Sequence, residues 1–141
     1  MNKLLGTIAI LLFFLNNVNA NERENKLNNL FKQLKNSEAS SAVKIENKIW
    51  KIWSTHPSNN DKGLNLTKLL AKGSFLMSGK ELNKAYEIFS QIILTDPSWS
   101  EAWNKRATVL YLLGRYEQSQ KDIDEVLKLE KRHFGALSGQ G

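Results

Sequence analysis

His56 and His133 are the side chains best suited to acid–base work near neutral pH, and the chain has no other His and no Cys. His56 precedes Pro57 in a loop and His133 falls in a turn between helices, so both are expected at the surface. No His pair stands at i, i+4 and no thiol is available, which leaves zinc without a donor set. Asp122, Asp124 and Glu125 could pair as carboxylates or hold a cation, but on a helix that spacing spreads them around a solvated face. Gly135-Ala136-Leu137-Ser138-Gly139 misses a nucleophile elbow, because its Ser stands one place late and no strand precedes it. Gly73-Ser74 is too short for a phosphate loop, and Asn65-Leu66-Thr67 accepts a glycan only in a eukaryotic secretory route. No catalytic, cofactor-binding or metal-binding residue emerges, and the chain is expected to be a non-enzyme without cofactor.

Binding is the remaining class, and it depends on the elements that present side chains. The 141 residues are 41% hydrophobic and 24% charged with two Pro, a globular and mostly helical composition of single-domain length. A net charge of +6 invites a nucleic-acid reading. The bases, however, are scattered among acids; the densest cluster is Lys131-Arg132-His133, and no basic run is interleaved with aromatics. The lysines are therefore expected to solvate helix faces, with no nucleic acid bound.

Residues 1–20 read as a signal peptide. Lys3 gives a positive start, Leu4 to Leu15 an apolar run, and Val18-Asn19-Ala20 a small-residue cleavage site after Ala20. The run is shorter than the roughly 20 apolar residues of a spanning helix, so no stable membrane span is expected after cleavage. Loss of Lys3 leaves 19 of the 20 basic residues against 14 acids. The mature protein is expected outside the cytoplasm, in a bacterial periplasm, held together by apolar contacts alone.

Residues 21–63 divide into a helical hairpin and a linker. Leu27, Leu30, Phe31 and Leu34 fall at i, i+3, i+4, i+7, one stripe of a helix. Asn36-Ser37 breaks it, and a second helix from about Glu38 to Ser54 carries Ala42, Ile45, Ile49, Ile52 and Trp53, with Trp50 widening the face. His56-Pro57 ends that helix, and Pro57 to Gly63 is almost all turn formers. Four more helices follow, at about 64–78, 81–94, 99–113 and 115–130, with Ser98 or Ser100 as N-cap of the third.

The last four helices are periodic. Leu69 and Trp103 lie 34 apart, and so do Gly73 and Ala107, Leu76 and Leu110, Ala85 and Ser119, Phe89 and Ile123. The first copy reads Leu69-x2-Lys72-Gly73-x2-Leu76, Ala85-x3-Phe89, Pro97. The second reads Trp103-x2-Arg106-Ala107-x2-Leu110, Ser119-x3-Ile123, with Gly114-Arg115-Tyr116 at the turn. This pattern resembles the tetratricopeptide repeat. It covers residues 64–133 as two repeats, about 66–99 and 100–133, and departs from the family at Lys131, where Pro is usual. The resemblance implies an all-α helix-turn-helix solenoid, preceded by the 21–63 hairpin as a cap. Residues 134–141 continue the register, since Leu137-x2-Gln140-Gly141 falls on Trp103-x2-Arg106-Ala107; they read as the start of an incomplete third repeat.

The resemblance also implies what the fold is for. First helices of such repeats line a concave groove, and the exposed stripes there would be Glu101, Asn104, Thr108 and Tyr111, with Thr67, Leu70, Ser74 and Met77 one repeat earlier. Amides, hydroxyls and a phenol beside Leu and Met suit an extended peptide. Leu69, Gly73, Leu76, Ala85, Phe89, Pro97, Trp103, Ala107, Leu110, Gly114, Tyr116 and Ile123 are expected to pack the repeats, with Trp103 in the core. The expected function is non-catalytic protein binding by an exported adaptor. The alternative is a basic helical binder of acidic partners, nucleic acid or an anionic membrane surface. Ile123, Val126 and Leu127 are expected to be partly exposed at the incomplete end, a patch inviting self-association.

Overall fold

A computed structural model of the chain describes residues 20–140. Gly141 and the expected signal segment as far as Asn19 lie outside the described residues; Ala20 is helical. Two compact units divide at Asn60/Asp61, and the described residues contain helices and connections but no strand. All-α architecture follows from the sequence periodicity, as expected.

The first unit is a helical hairpin, α1 (residues 20–35) and α2 (Ala39–Trp53). Leu27 and Leu30 of α1 are buried with Ile45, Ile49 and Trp53 of α2, where the 3.6-residue period puts them. Trp53 meets Phe31 at a tilt, ring centroids 6.0 Å apart, and Trp50 edge-on at 5.4 Å. The connection is fixed by side chains that satisfy the open carbonyls of α1: Asn36 donates to Lys32 O at 3.1 Å and Ser37 to Leu34 O at 2.8 Å.

The second unit is a stack of helix pairs, a short helical-repeat solenoid: α3 (Asp61–Ser78), α4 (Leu82–Thr95), α5 (Ser100–Leu112), α6 (Tyr116–Leu129) and α7 (Phe134–Gly139). Each helix packs on the next, and α5 also reaches α3. Helix α3 begins three residues before the expected start and takes Asp61-Lys62-Gly63 out of the linker, because Gly63 is buried on the same stripe as Leu66, Leu70 and Gly73. A buried face thus overrode local turn propensity. Gly73 is the close crossing of the first pair: a Cβ there would stand 2.5 Å from the Phe89 ring. Phe89 is itself fully buried with Ala85, Ile92, Trp99, Ala102 and Val109.

The two α-hairpin turns are built alike, 34 residues apart. Lys80 (φ 62°) and Gly114 (φ 72°) both adopt the left-handed conformation. Lys80 N–H donates to Met77 O and Glu81 N–H to Leu76 O; Gly114 N–H donates to Tyr111 O and Arg115 N–H to Leu110 O. These paired bonds are the helix-ending motif that glycine favours. The first copy places Gly79 one residue early, so a lysine carries the strain.

Several packing expectations change. Within the array, Trp99, not Trp103, is the enclosed tryptophan, at 2% exposure. Trp103 is half-buried between the first-repeat core and a second one of Ala107, Ile123, Val126 and Ala136, and its indole donates to Pro97 O at 2.9 Å. Pro97 is exposed and contributes that carbonyl and a helix stop rather than packed surface. Tyr116 is also exposed and meets Tyr111 edge-on at 5.3 Å. Neither Ser98 nor Ser100 caps α5; Asp96 instead accepts from the Ser98 N–H and hydroxyl, which makes a tight turn before Trp99.

At the C-terminal end, α7 covers what was expected to be bare. Ala136 inserts against α6, Val126 is fully buried, Ile123 is 7% exposed, and Leu127 is half-buried. Six helical residues suffice because their first turn is pinned from within the array. The apolar patch expected on α6 is absent.

Candidate functional site

Both histidines are buried, against expectation. His56, 9% exposed, accepts the Ser58 N–H on Nδ1 at 3.1 Å and so holds its turn. His133 is wholly enclosed at the N-cap of α7, where Nδ1 accepts the Ala136 N–H at 3.3 Å. Its Nε2 then carries the proton and donates to Glu101 Oε2 at 3.0 Å. Glu101 is fully buried too; Asn104 donates to the same oxygen at 3.3 Å, and the Lys105 ammonium stands 3.4 Å from Oε1. With both ring nitrogens engaged, His133 offers no free lone pair to a substrate. Its role is to pin α7 to α5.

Asp122 is likewise buried rather than solvated. Arg106 grips it with two parallel bonds of 2.7 and 2.8 Å, donates to Ser90 at 3.2 Å, and lies over the rings of Trp103 and Tyr86. One guanidinium therefore ties α4, α5 and α6 together. Its hydrogen bonds to Asp122 hold it above the usual arginine value against the opposing effect of burial. Among the described residues, no group of three or more His, Asp or Glu could hold a metal ion. No helix among them is long and apolar enough to cross a membrane.

The expected groove residues separate into two sets. Leu70 belongs to the core at 2% exposure, which removes it from any ligand face; Met77 leans half-buried on the same cluster. Thr67 and Ser74 are half-buried, and their hydroxyls donate to Gly63 O and Leu70 O one turn back. Glu101 and Asn104 are buried rather than exposed. Even so, Asn104, Thr108 and Tyr111 line one cleft of about 360 Å³ between α5 and α7, floored by Ala107, Ser119 and Ile123 and closed by Gly135, Ser138 and Gly139. Thr108 and Ser138 donate internally, to Asn104 O and Gly135 O, which leaves their oxygens as acceptors. Tyr111 is 63% exposed at the rim. No charged side chain lines the cleft, so it matches a peptide backbone with small or neutral side chains.

The sequence marks residues 134–141 as the start of an incomplete third repeat but does not show that they form a wall of this cleft. It also missed the buried Arg106–Asp122 and His133–Glu101 pairs. One signal for His133 was available: it stands 34 residues after Trp99, and both close an inter-repeat turn from inside. Arg106 and Asp122 have Lys72 and Ile88 one repeat earlier, so no periodic signal marks that pair.

Comparison with known proteins agrees with this architecture. The chain is 36% identical over 116 residues, 81% of its length, to a TPR repeat-containing protein of Rhizobium etli. It is 33% identical over 60 residues to an uncharacterized protein of Methanocaldococcus jannaschii, covering 43% of this chain and 70% of that one. It spans only about half, 54%, of the Rhizobium protein. No family model matches the chain, and no solved structure does. The 34-residue step, the paired helices and the similarity to the Rhizobium protein make this a tetratricopeptide-repeat protein. A relationship of that kind suggests a protein-interaction module.

Proposed function

We propose that the chain is a non-catalytic adaptor that holds an extended, uncharged segment of a partner protein in the α5–α7 cleft. The observation that carries this reading is the convergence of Asn104, Thr108 and Tyr111 with Ser138 and the α7 glycines on one uncharged cleft. Hydroxyl and amide oxygens would accept peptide N–H groups, Ala107 and Ile123 would take a small apolar side chain, and the glycines would let the peptide approach closely. The adaptor would act outside the cytoplasm, in a bacterial periplasm, supported by Lys3, the Leu4–Leu15 run and the small residues before Asn21.

Selection from a displayed library of short peptides tests the cleft. Peptides enriched by the chain should be uncharged at their centre. They should also lose affinity for Tyr111→Ala, which removes an exposed rim ring and leaves helicity intact. Enrichment unaffected by Tyr111→Ala and by Thr108→Val would refute the site. Export is tested separately: N-terminal sequencing of the secreted product should begin at Asn21, and an intact Met1 on cytoplasmic protein overturns that part.

A further inference from the structure

The basic charge of this chain is unevenly placed. Residues 20–60 hold seven bases against four acids, whereas residues 61–141, twice as many, hold twelve against ten. The excess of three in the hairpin therefore exceeds the excess of two in the whole array. In the array, Lys84, Lys105 and Lys128 each reach an acid one turn away, at Glu81, Glu101 and Glu125. Lys48 and Lys51 of α2 have no acid at i±3 or i±4, and they repel each other on one face. Lys26 of α1 has Glu22 one turn back, yet no ion pair or hydrogen bond joins the ammonium group of Lys26, Lys48 or Lys51 to another described residue.

These three ammonium groups border one cleft of about 710 Å³ between α1 and α2. Its floor is apolar, from Leu30 and Ile52, and Asn29 and Gln33 line the side next to Lys26. Arg23 also borders it, but its guanidinium is committed to Ile52 O at 2.6 Å, which braces the two helices at that end. The hairpin's aromatics, Phe31, Trp50 and Trp53, pack on one another and do not line the cleft.

We propose that the α1–α2 cleft binds an acidic peptide segment that carries an apolar side chain between its carboxylates. The lysines meet the carboxylates, the amides of Asn29 and Gln33 meet the peptide backbone, and Leu30 and Ile52 receive the apolar side chain. A bilayer surface is flat and does not reach a floor set between two helices. Single-stranded nucleic acid is held by stacking its bases on aromatic rings, and none is offered here.

Fluorescence anisotropy on the full chain tests this with a labelled eight-residue peptide of Asp and Glu flanking one Leu. Binding should be saturable and fall with added salt. Lys48→Glu/Lys51→Glu should weaken it by roughly tenfold or more, since each reversal turns an attraction into a repulsion. Lys72→Glu/Lys121→Glu, the same change in net charge on the array, should leave it within about twofold, because screening confines the effect to nearby charges. Tyr111→Ala should have no effect, which separates this site from the α5–α7 cleft. Circular dichroism of each variant confirms that the helices persist. Equal losses in both double variants, equal binding of the Asn and Gln version of the peptide, or displacement of the peptide by phosphatidylglycerol vesicles would each overturn the proposal.

Discussion

The two units use charge in opposite ways. In the array, buried polar side chains are part of the fold: Arg106–Asp122 joins α5 to α6, and His133–Glu101 joins α7 to α5. In the hairpin, apolar and aromatic contacts hold the helices, and the lysines around one cleft are left to solvent. A buried charge must find its partner inside the protein, because leaving it unpaired is prohibitive. An exposed one can wait for a ligand. Charge that is spent on the fold and charge that is available for binding can thus be told apart by burial and partners, though composition counts them alike.

The sharpest way to break this contrast is to attack the array's own centre. Phe89→Ala empties a fully buried site and should cost about 3–5 kcal/mol, read as a lower urea midpoint by Trp99 and Trp103 fluorescence with Trp50 and Trp53 replaced by Phe. Next in size, Asp122→Asn leaves Arg106 without its counter-charge. Because Arg106 keeps some water and Ser90, the loss should be about 2–3 kcal/mol. Lys48→Gln, by contrast, should change stability by less than about 0.5 kcal/mol. A comparable cost for the two would show that the hairpin lysines are structural after all.

Smaller effects sharpen the comparison within the array. Lys80→Gly should stabilise the chain by about 1 kcal/mol and Gly114→Ala destabilise it by a similar amount, since only glycine is free of strain at positive φ. Thermal melts of both variants check this, and opposite shifts of the melting temperature are required. A pH-dependent effect belongs to Glu130 at the end of α6. Burial pushes its carboxyl up, but the Arg132 N–H and guanidinium, at 2.7–3.0 Å, hold it on balance below the usual range. A depressed folded value contributes stability that is present above the unfolded pKa and lost as pH falls through the folded one. Stability should therefore decline on acidification below about pH 4. Glu130→Gln should flatten that limb while costing less than about 1 kcal/mol at pH 7.

Sequence alone determined the helices, their order and the repeat. Apolar stripes and the 34-residue spacing of Gly73/Ala107, Leu76/Leu110 and Phe89/Ile123 are local or periodic facts, written in residue types along one strand of text. Element ends were legible to within a few residues and failed where a buried stripe extended a helix through turn formers, as at Gly63. Half of the groove was legible in the same way: Asn104, Thr108 and Tyr111 share a helical face whatever surrounds it. Tertiary structure alone decided that Leu70 on the equivalent face is core, that α7 supplies the opposite wall, and that His133, Glu101 and Asp122 lie inside. Each of those depends on which side chain from another helix arrives opposite, 16 to 34 residues away, and a single copy of such a pair leaves no period to read. Polar residues look solvated in sequence because burial without a partner is costly, and the partner becomes visible only once the helices are stacked.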